Sequence, residues 1–465
     1  MLRFFDRREF LRVSLATASL PSAAQLTNAS ESSDRVPRGF GSAKSVILVY
    51  ASGGQSQLET WDPKPNAPLD VRGAFSSIAT PSPGVQLCEH LPRLARLADR
   101  YTIVRSMSHR DLDHGSATYL ALTGRYHARI SSNPLPSPTD YPTYGAVLKR
   151  LRVTNRFAYE AVHLNAPAYV PFLISPGQDG GFLGREYEPL VVGDPRSSDA
   201  VLPGLTPQAG LPAVRMEKRK SLKETLDNYS DRLAGDQKLA DMSHLYRQAL
   251  AMLSSPRYRD AFDLNQESDA LRDRYGRHRS GQSCLLARRL VEAGVPFINV
   301  IWNHSNRGQD ADPTDPDVYG WDTHNDIFDA MKTHLLPRFD ESFATLLEDL
   351  DERGLLDDTL VVCMGEFGRA PRVALEPNFA GNLPGRKHWA SVYSIVLAGA
   401  GVNRGAVLGE SDRLAAEPIT ERYGPWDVAA TMYSALGIDH AAHYTDAFDR
   451  PVATTIGRPM EALYG

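Results

Sequence analysis

Ser45-Val46-Ile47-Leu48-Val49-Tyr50, closed by Ser52-Gly53-Gly54, is the stretch on which the reading of the fold turns. A continuous apolar run ended by a glycine turn suits a strand buried on both faces of a parallel sheet. Four further runs of the same kind follow. They are Tyr101–Arg105, Pro296–Trp302, Thr359–Cys363 and Val392–Leu397. Helical patterns separate them: Leu91, Leu94, Leu97 and Ala98 precede the second run, and Leu285 to Val291, ending at Gly294, precede the third. The clearest helix runs through Phe328, Met331, Leu335, Phe339, Phe343, Leu346, Leu347 and Leu350, with Gly354 as its C-terminal cap. Pro337 lies within it and is expected to kink or split it. Strands alternating with helices predict an α/β fold, with a mostly parallel central sheet and helices on both faces.

Composition bounds the function classes. The 465 residues are 42% hydrophobic and 23% charged, a balance that excludes wholesale disorder. The net charge of −5 gives no basic footprint for a nucleic acid. Three cysteines cannot build a disulfide framework. No segment after the N-terminus approaches the roughly 18 apolar residues of a membrane span.

The N-terminus reads as an address. Asp6-Arg7-Arg8-Glu9-Phe10-Leu11-Arg12 resembles the twin-arginine export motif; a weakly apolar stretch to Leu20 and Pro21-Ser22-Ala23-Ala24 follow. Residues 1–24 are therefore expected to be a signal peptide, 25–43 a polar linker and 44–465 a single domain. Export by this route would leave the protein in the periplasm or outside the cell. Removal of the signal takes away four arginines and two acids and moves the net charge from −5 to −7. Residues 128–292, rich in Pro and Gly and then charged and helical in pattern, are expected to form an irregular insertion on the sheet.

In open α/β sheets functional residues gather beyond the C-terminal ends of strands. The second run leads into Ser106-Met107-Ser108-His109-Arg110-Asp111-Leu112-Asp113-His114. The third leads to Asn303-His304 and on to Trp321-Asp322-Thr323-His324, and the fourth to Gly365-Glu366-Phe367-Gly368-Arg369. Gly385-Arg386-Lys387-His388-Trp389 comes just before the fifth. His, Asp and Glu are the ligand types of zinc-like and manganese-like ions. Each piece alone also has a plainer reading, as a turn, a cap or a packing histidine; the weight lies in their combination. Gly53-Gly54 reads either as an anion cradle of backbone N–H groups or, more simply, as a tight turn.

Taken in order, these segments resemble the bacterial family known as domain of unknown function 1501. The stretches that carry the likeness are SVILVYASGGQSQLETWDPKP, HGSATYLALTGRYH, WDTH, TLVVCMGEFGRAP, GRKHWASVYSIVLAGAG and the final PWDVAATMYSALGID. The family looks like a divergent branch of the alkaline phosphatase and sulfatase superfamily. The resemblance implies a superfamily-like domain with a metal-assisted hydrolytic site at its strand ends. Leu122-Thr123-Gly124-Arg125 matches a sulfatase motif whose nucleophile lies nine residues before the Thr, and that position is His114. Ser116 and Thr118 are hydroxyls nearby but displaced, and Ser52-Gly53-Gly54 stands where the superfamily carries metal-binding acids. Glu366-Phe367 corresponds to an Asp-His pair, so one of its two ligands is lost; Asp322, His324 and His388 match metal positions.

The surviving set, Asp322, His324, Glu366 and His388, favours one divalent ion over two, with zinc, manganese and calcium not distinguished. His114 is then base, acid or ligand, and Arg105, Arg369 and Arg386 are candidates for clamping an anionic ester. Two readings stay open. One is an exported metal-dependent hydrolase of sulfate or phosphate esters, small or polymeric. The other is a catalytically degenerate binding protein that keeps the sulfatase-like fold. Oligomeric state is not written in these patterns.

Overall fold

The computed structural model describes residues 36–151, 159–170, 173–196, 256–303, 305, 308, 317 and 319–465. The twin-arginine segment, most of the linker, His304 and the helical pattern of residues 216–255 lie outside these. Among the described residues the central sheet has eight strands. They are β1 (Ser45–Tyr50), β2 (Thr102–Met107), β3 (Ala161–Leu164), β4 (Leu190–Val192), β5 (Phe297–Ile301), β6 (Thr359–Met364), β7 (Tyr393–Ala398) and β8 (Val407–Leu408). Their order across the sheet is β8-β2-β7-β6-β1-β5-β3-β4. β1 is central and pairs in parallel with β5 and β6. Among these eight, β7 alone runs against both its neighbours, β6 and β2.

The alternation of side chains explains why β1 is apolar throughout. Ile47 and Val49 enter one core with Phe339, Phe343 and Leu346; Val46, Leu48 and Tyr50 enter the other with Leu122, Val147 and Met432. Helices cover both faces. α3 (Arg279–Ala293) and α4 (Leu336–Glu352) supply the first core, while α1 (His114–Thr123), α2 (Tyr144–Leu151) and α5 (Pro425–Ala435) supply the second. Residues Gly39–Gly465 form one compact unit. Among the described residues no helix is long and apolar enough to cross a membrane, and all three cysteines are free and buried.

Two sequence expectations meet a more specific answer. The interruption expected at Pro337 is a π-helical turn, Met331–Leu335, after which Pro337 sits in the first turn of α4, where its missing N–H is not needed. The block 128–292, expected as an insertion on the sheet, instead contributes to the sheet itself: β3 pairs with β5, and β4 pairs with β3. Ala161-Val162-His163-Leu164 is too short for periodicity to reveal and carries a histidine in its middle, which hid it.

Candidate metal centre

The topology gathers the site. β1, β2, β5 and β6 are parallel, so their C-terminal ends share one edge of the sheet; because β7 is antiparallel, its beginning lies on that edge too. His114 is the first residue of α1, after β2. The Leu-Thr-Gly-Arg motif is the other end of the same helix: Gly124 closes it in the left-handed conformation (φ +68°), where a Cβ would lie 2.9 Å from Ala429. Asp322 and His324 follow β5, Glu366 and Arg369 follow β6, and His388 precedes β7. His388 and Arg369 are paired residues of a short antiparallel ribbon.

Among the described residues, His114, Asp322, His324 and His388 form a cluster whose ligand-type atoms all lie within 4.8 Å of one another. Asp322 Oδ1 is its hub. It lies 3.2 Å from His114 Nε2, 3.0 Å from His324 Nε2 and 3.3 Å from His388 Nε2. The Nε2 atoms of His324 and His388 are 2.9 Å apart. Four ligands about 2.0–2.1 Å from a tetrahedral ion are separated by about 3.3 Å, close to these spacings. His114 Nε2, buried, faces Asp322 Oδ1, and the Nε2 atoms of His324 and His388 turn to the same oxygen. The residues present therefore fit a single ion.

The supports of the cluster are fixed from behind. His114 Nδ1 lies 2.6 Å from Glu366 Oε1. Glu366, fully buried, also accepts from the Gly53 N–H at 2.8 Å and from the Tyr50 hydroxyl at 3.0 Å. His388 Nδ1 lies 2.7 Å from the Leu112 carbonyl. The Phe379 ring stacks flat on His324, with centroids 3.7 Å apart. Phe367 packs against the rings of His114 and His388.

Electrostatics follow from this packing. Burial disfavours the charge on Asp322, but His114 and Arg369 override it and hold the carboxyl well below its usual range. Burial likewise opposes protonation of His114, yet Asp322 and Glu366 raise it to about 9. Burial, reinforced by the His114 charge, depresses His388 to about 3, and burial also lowers His324.

Several expected site residues take other places. Glu366 does not join the four groups facing the centre; it stands behind His114. Arg386 is fully buried, with its donors spent on Glu59 Oε1 (2.6 Å) and the carbonyls of Val71 (2.7 Å), Ala370 and Pro371. Arg105 is spent on the Trp61 carbonyl at 2.6 Å and Asp62 at 3.3 Å. Internal acceptors take every nitrogen of Arg386, so it is no anion clamp, and Arg105 has its partners at Trp61, Asp62 and Gln86 rather than at the cluster. Arg369 alone of the three reaches the cluster, 2.8 Å from Asp322 Oδ1, and its other donors go to the carbonyls of Gly53, Gly54 and Arg386. It holds Asp322 in place rather than a substrate. Ser116 donates to Asp111 and Thr118 pairs with Tyr50, so both hydroxyls are engaged elsewhere.

The glycine turn serves a mixed purpose. Gly53 N–H does hold an anion, the protein's own Glu366 carboxylate, while a Cβ on Gly54 (φ +76°) would lie 2.6 Å from the Phe367 ring. Sequence reasoning missed Tyr50, Phe379 and the Leu112 carbonyl. Tyr50 reads as one more core residue of β1, and a loop phenylalanine or a backbone carbonyl leaves no signal at all.

An α/β sheet carrying a His/Asp cluster at the C-terminal edge of its strands defines the class. The chain belongs to the family described as a protein of unknown function (DUF1501), which matches residues 43–463. No curated protein matches. Among solved structures the chain is similar to a protein in the alkaline phosphatase superfamily from Vibrio parahaemolyticus, at 12% identity and TM-score 0.44, over 91% of this chain and 71% of that one. It is also similar to the PsFucS1 sulfatase from Pseudoalteromonas sp. (15%, TM-score 0.35, 93% and 72%). A third is the phosphonate monoester hydrolase SpPMH from Silicibacter pomeroyi (15%, TM-score 0.40, 90% and 76%).

Proposed function

We propose that this chain is an exported hydrolase of phosphate or sulfate esters that works with one divalent metal ion. The observation that carries the reading is the convergence of three imidazole Nε2 atoms on Asp322 Oδ1 at 3.0–3.3 Å. Three nitrogens and one carboxylate oxygen are a donor set for zinc or a similar transition metal; calcium prefers six to eight oxygens. When bound, such an ion supplies Lewis-acid polarisation of an ester and acidification of a water.

The chain's own residues define the rest. His114, Asp322, His324 and His388 hold the ion, and Arg369 keeps the Asp322 carboxylate in place. With Ser116 and Thr118 engaged elsewhere, water takes the role of nucleophile. The N-terminal Arg7-Arg8 motif supports export of the already folded protein to the periplasm or beyond.

One observation favours the second reading, a non-catalytic binding protein. Four protein ligands close a tetrahedral site, whereas catalytic zinc usually keeps a position open. Purified protein, loaded with zinc or manganese and offered a panel of aryl phosphates and sulfates, separates the two. Turnover that chelator abolishes and metal restores supports the hydrolase. Stoichiometric metal with no turnover on any ester supports the binding protein.

A further inference from the structure

We infer that Glu366 is a positioning residue: it fixes His114 with Nδ1 as the N–H and Nε2 as the lone pair that faces the metal centre. The inference rests on the reading of the cluster as a metal site and adds to it a residue that provides no ligand atom.

Two donors outside the cluster already hold the Glu366 carboxylate. Oε1 takes the Gly53 N–H at 2.8 Å and faces His114 Nδ1 at 2.6 Å, and Oε2 takes the Tyr50 hydroxyl at 3.0 Å. With its two oxygens accepting from Gly53 and Tyr50, Glu366 meets His114 as an acceptor, which assigns the shared proton to Nδ1. A neutral imidazole with Nδ1–H has its lone pair on Nε2. His388 is fixed in the same sense by a backbone carbonyl, Leu112, at 2.7 Å from its Nδ1. The cluster is thus framed from outside by one carboxylate and one carbonyl, each setting which nitrogen looks inward.

The sheet sets the geometry of this support. Tyr50 is paired with Met364 across β1 and β6, so Tyr50 and Gly53 beyond one strand meet Glu366 beyond the other. A fixed register between adjacent parallel strands places two donors on Glu366 before His114 arrives from α1.

Glu366→Leu tests this by removing the acceptor with little change in volume. Gly53 N–H and His114 Nδ1 share Oε1, so a glutamine would keep its oxygen there and preserve the tautomer, whereas leucine offers no acceptor. Nothing behind the ring then holds the proton on Nδ1, and it can move to Nε2, toward the ion. Zinc affinity, read by competition with a chromophoric chelator, is expected to fall by about 10- to 100-fold, the usual cost of losing an outer partner of a metal histidine. Nitrogen-15 spectra of the zinc-loaded unmutated protein, with His114 assigned by loss of its signals in His114→Asn, give a second measurement that does not depend on the variant folding. They are expected to show Nδ1 protonated and Nε2 metal-bound. If zinc binds the unmutated protein but Glu366→Leu binds within about threefold of it, or if the His114 proton sits on Nε2, the role of Glu366 is refuted while the metal site stands. If the unmutated protein binds no zinc, the metal site itself falls and this inference with it.

Discussion

The Nε2 atoms of His324 and His388 face each other at 2.9 Å, with Asp322 Oδ1 3.0 Å from the first and 3.3 Å from the second. Burial keeps both rings from protonating, and the Leu112 carbonyl takes the Nδ1 proton of His388. Its remaining nitrogen therefore presents a lone pair inward, as a ligand does. His388→Ala is expected to weaken zinc binding by more than about 100-fold, beyond the range typical of outer-shell partners. Calorimetric titration checks it; a loss smaller than about tenfold would place His388 outside the ligand set.

Metal that binds the folded chain and not the unfolded one stabilises by mass action. At about 100 times the dissociation constant the gain is about 2.7 kcal/mol. Zinc is therefore expected to raise the thermal midpoint in a concentration-dependent way, and chelator to reverse the rise. In His114→Ala the shift should be much smaller. An equal shift in that variant would mean that zinc stabilises through some other site.

Much of the fold was legible in the sequence because its central strands are buried on both faces and so read as unbroken apolar runs. β3 and β4 were not legible. They are only 4 and 3 residues long, and His163 interrupts the apolar pattern of β3. At the site, strand-end placement singled out His114, Asp322, His324 and His388, which the fold brings together. It could not tell Glu366 from a ligand, because a carboxylate one residue past a turn looks the same whether it points at an ion or at a histidine. Nor could it see that Arg386 is consumed by buried acceptors, since guanidinium partners come from distant parts of the chain.

Arg386 makes that point testable. Its partner Glu59 is buried and also accepts from Ser56 Oγ at 2.5 Å, so the ion pair is enclosed. Removing one member of a buried pair leaves the other charge uncompensated, at a cost of about 3–5 kcal/mol. Glu59→Ala is expected to lose stability on that order in urea unfolding. A change below about 1 kcal/mol would show that Arg386 does not depend on Glu59 and has donors to spare.

His163 gives the pH dependence a defined sign. It is fully buried in β3, neither ring nitrogen has a hydrogen-bond partner, and burial lowers its pKa to about 3. In the unfolded chain a histidine titrates near 6.5. Stability from keeping this ring neutral is thus complete above about pH 6.5 and is lost as pH falls toward 3, at up to about 1.4 kcal/mol per pH unit. His163→Leu is expected to flatten that part of the profile. An unchanged slope between pH 6 and 4, read by denaturant unfolding at each pH, would assign the acid sensitivity to other groups.

The most direct test of the metal centre is the stoichiometry of metal on the folded protein. Protein stripped with chelator, dialysed and titrated with zinc is expected to take up one equivalent per chain, and His388→Ala and Asp322→Ala to lose that equivalent. No saturable zinc binding by the unmutated protein, or an undiminished equivalent in both variants, would contradict it.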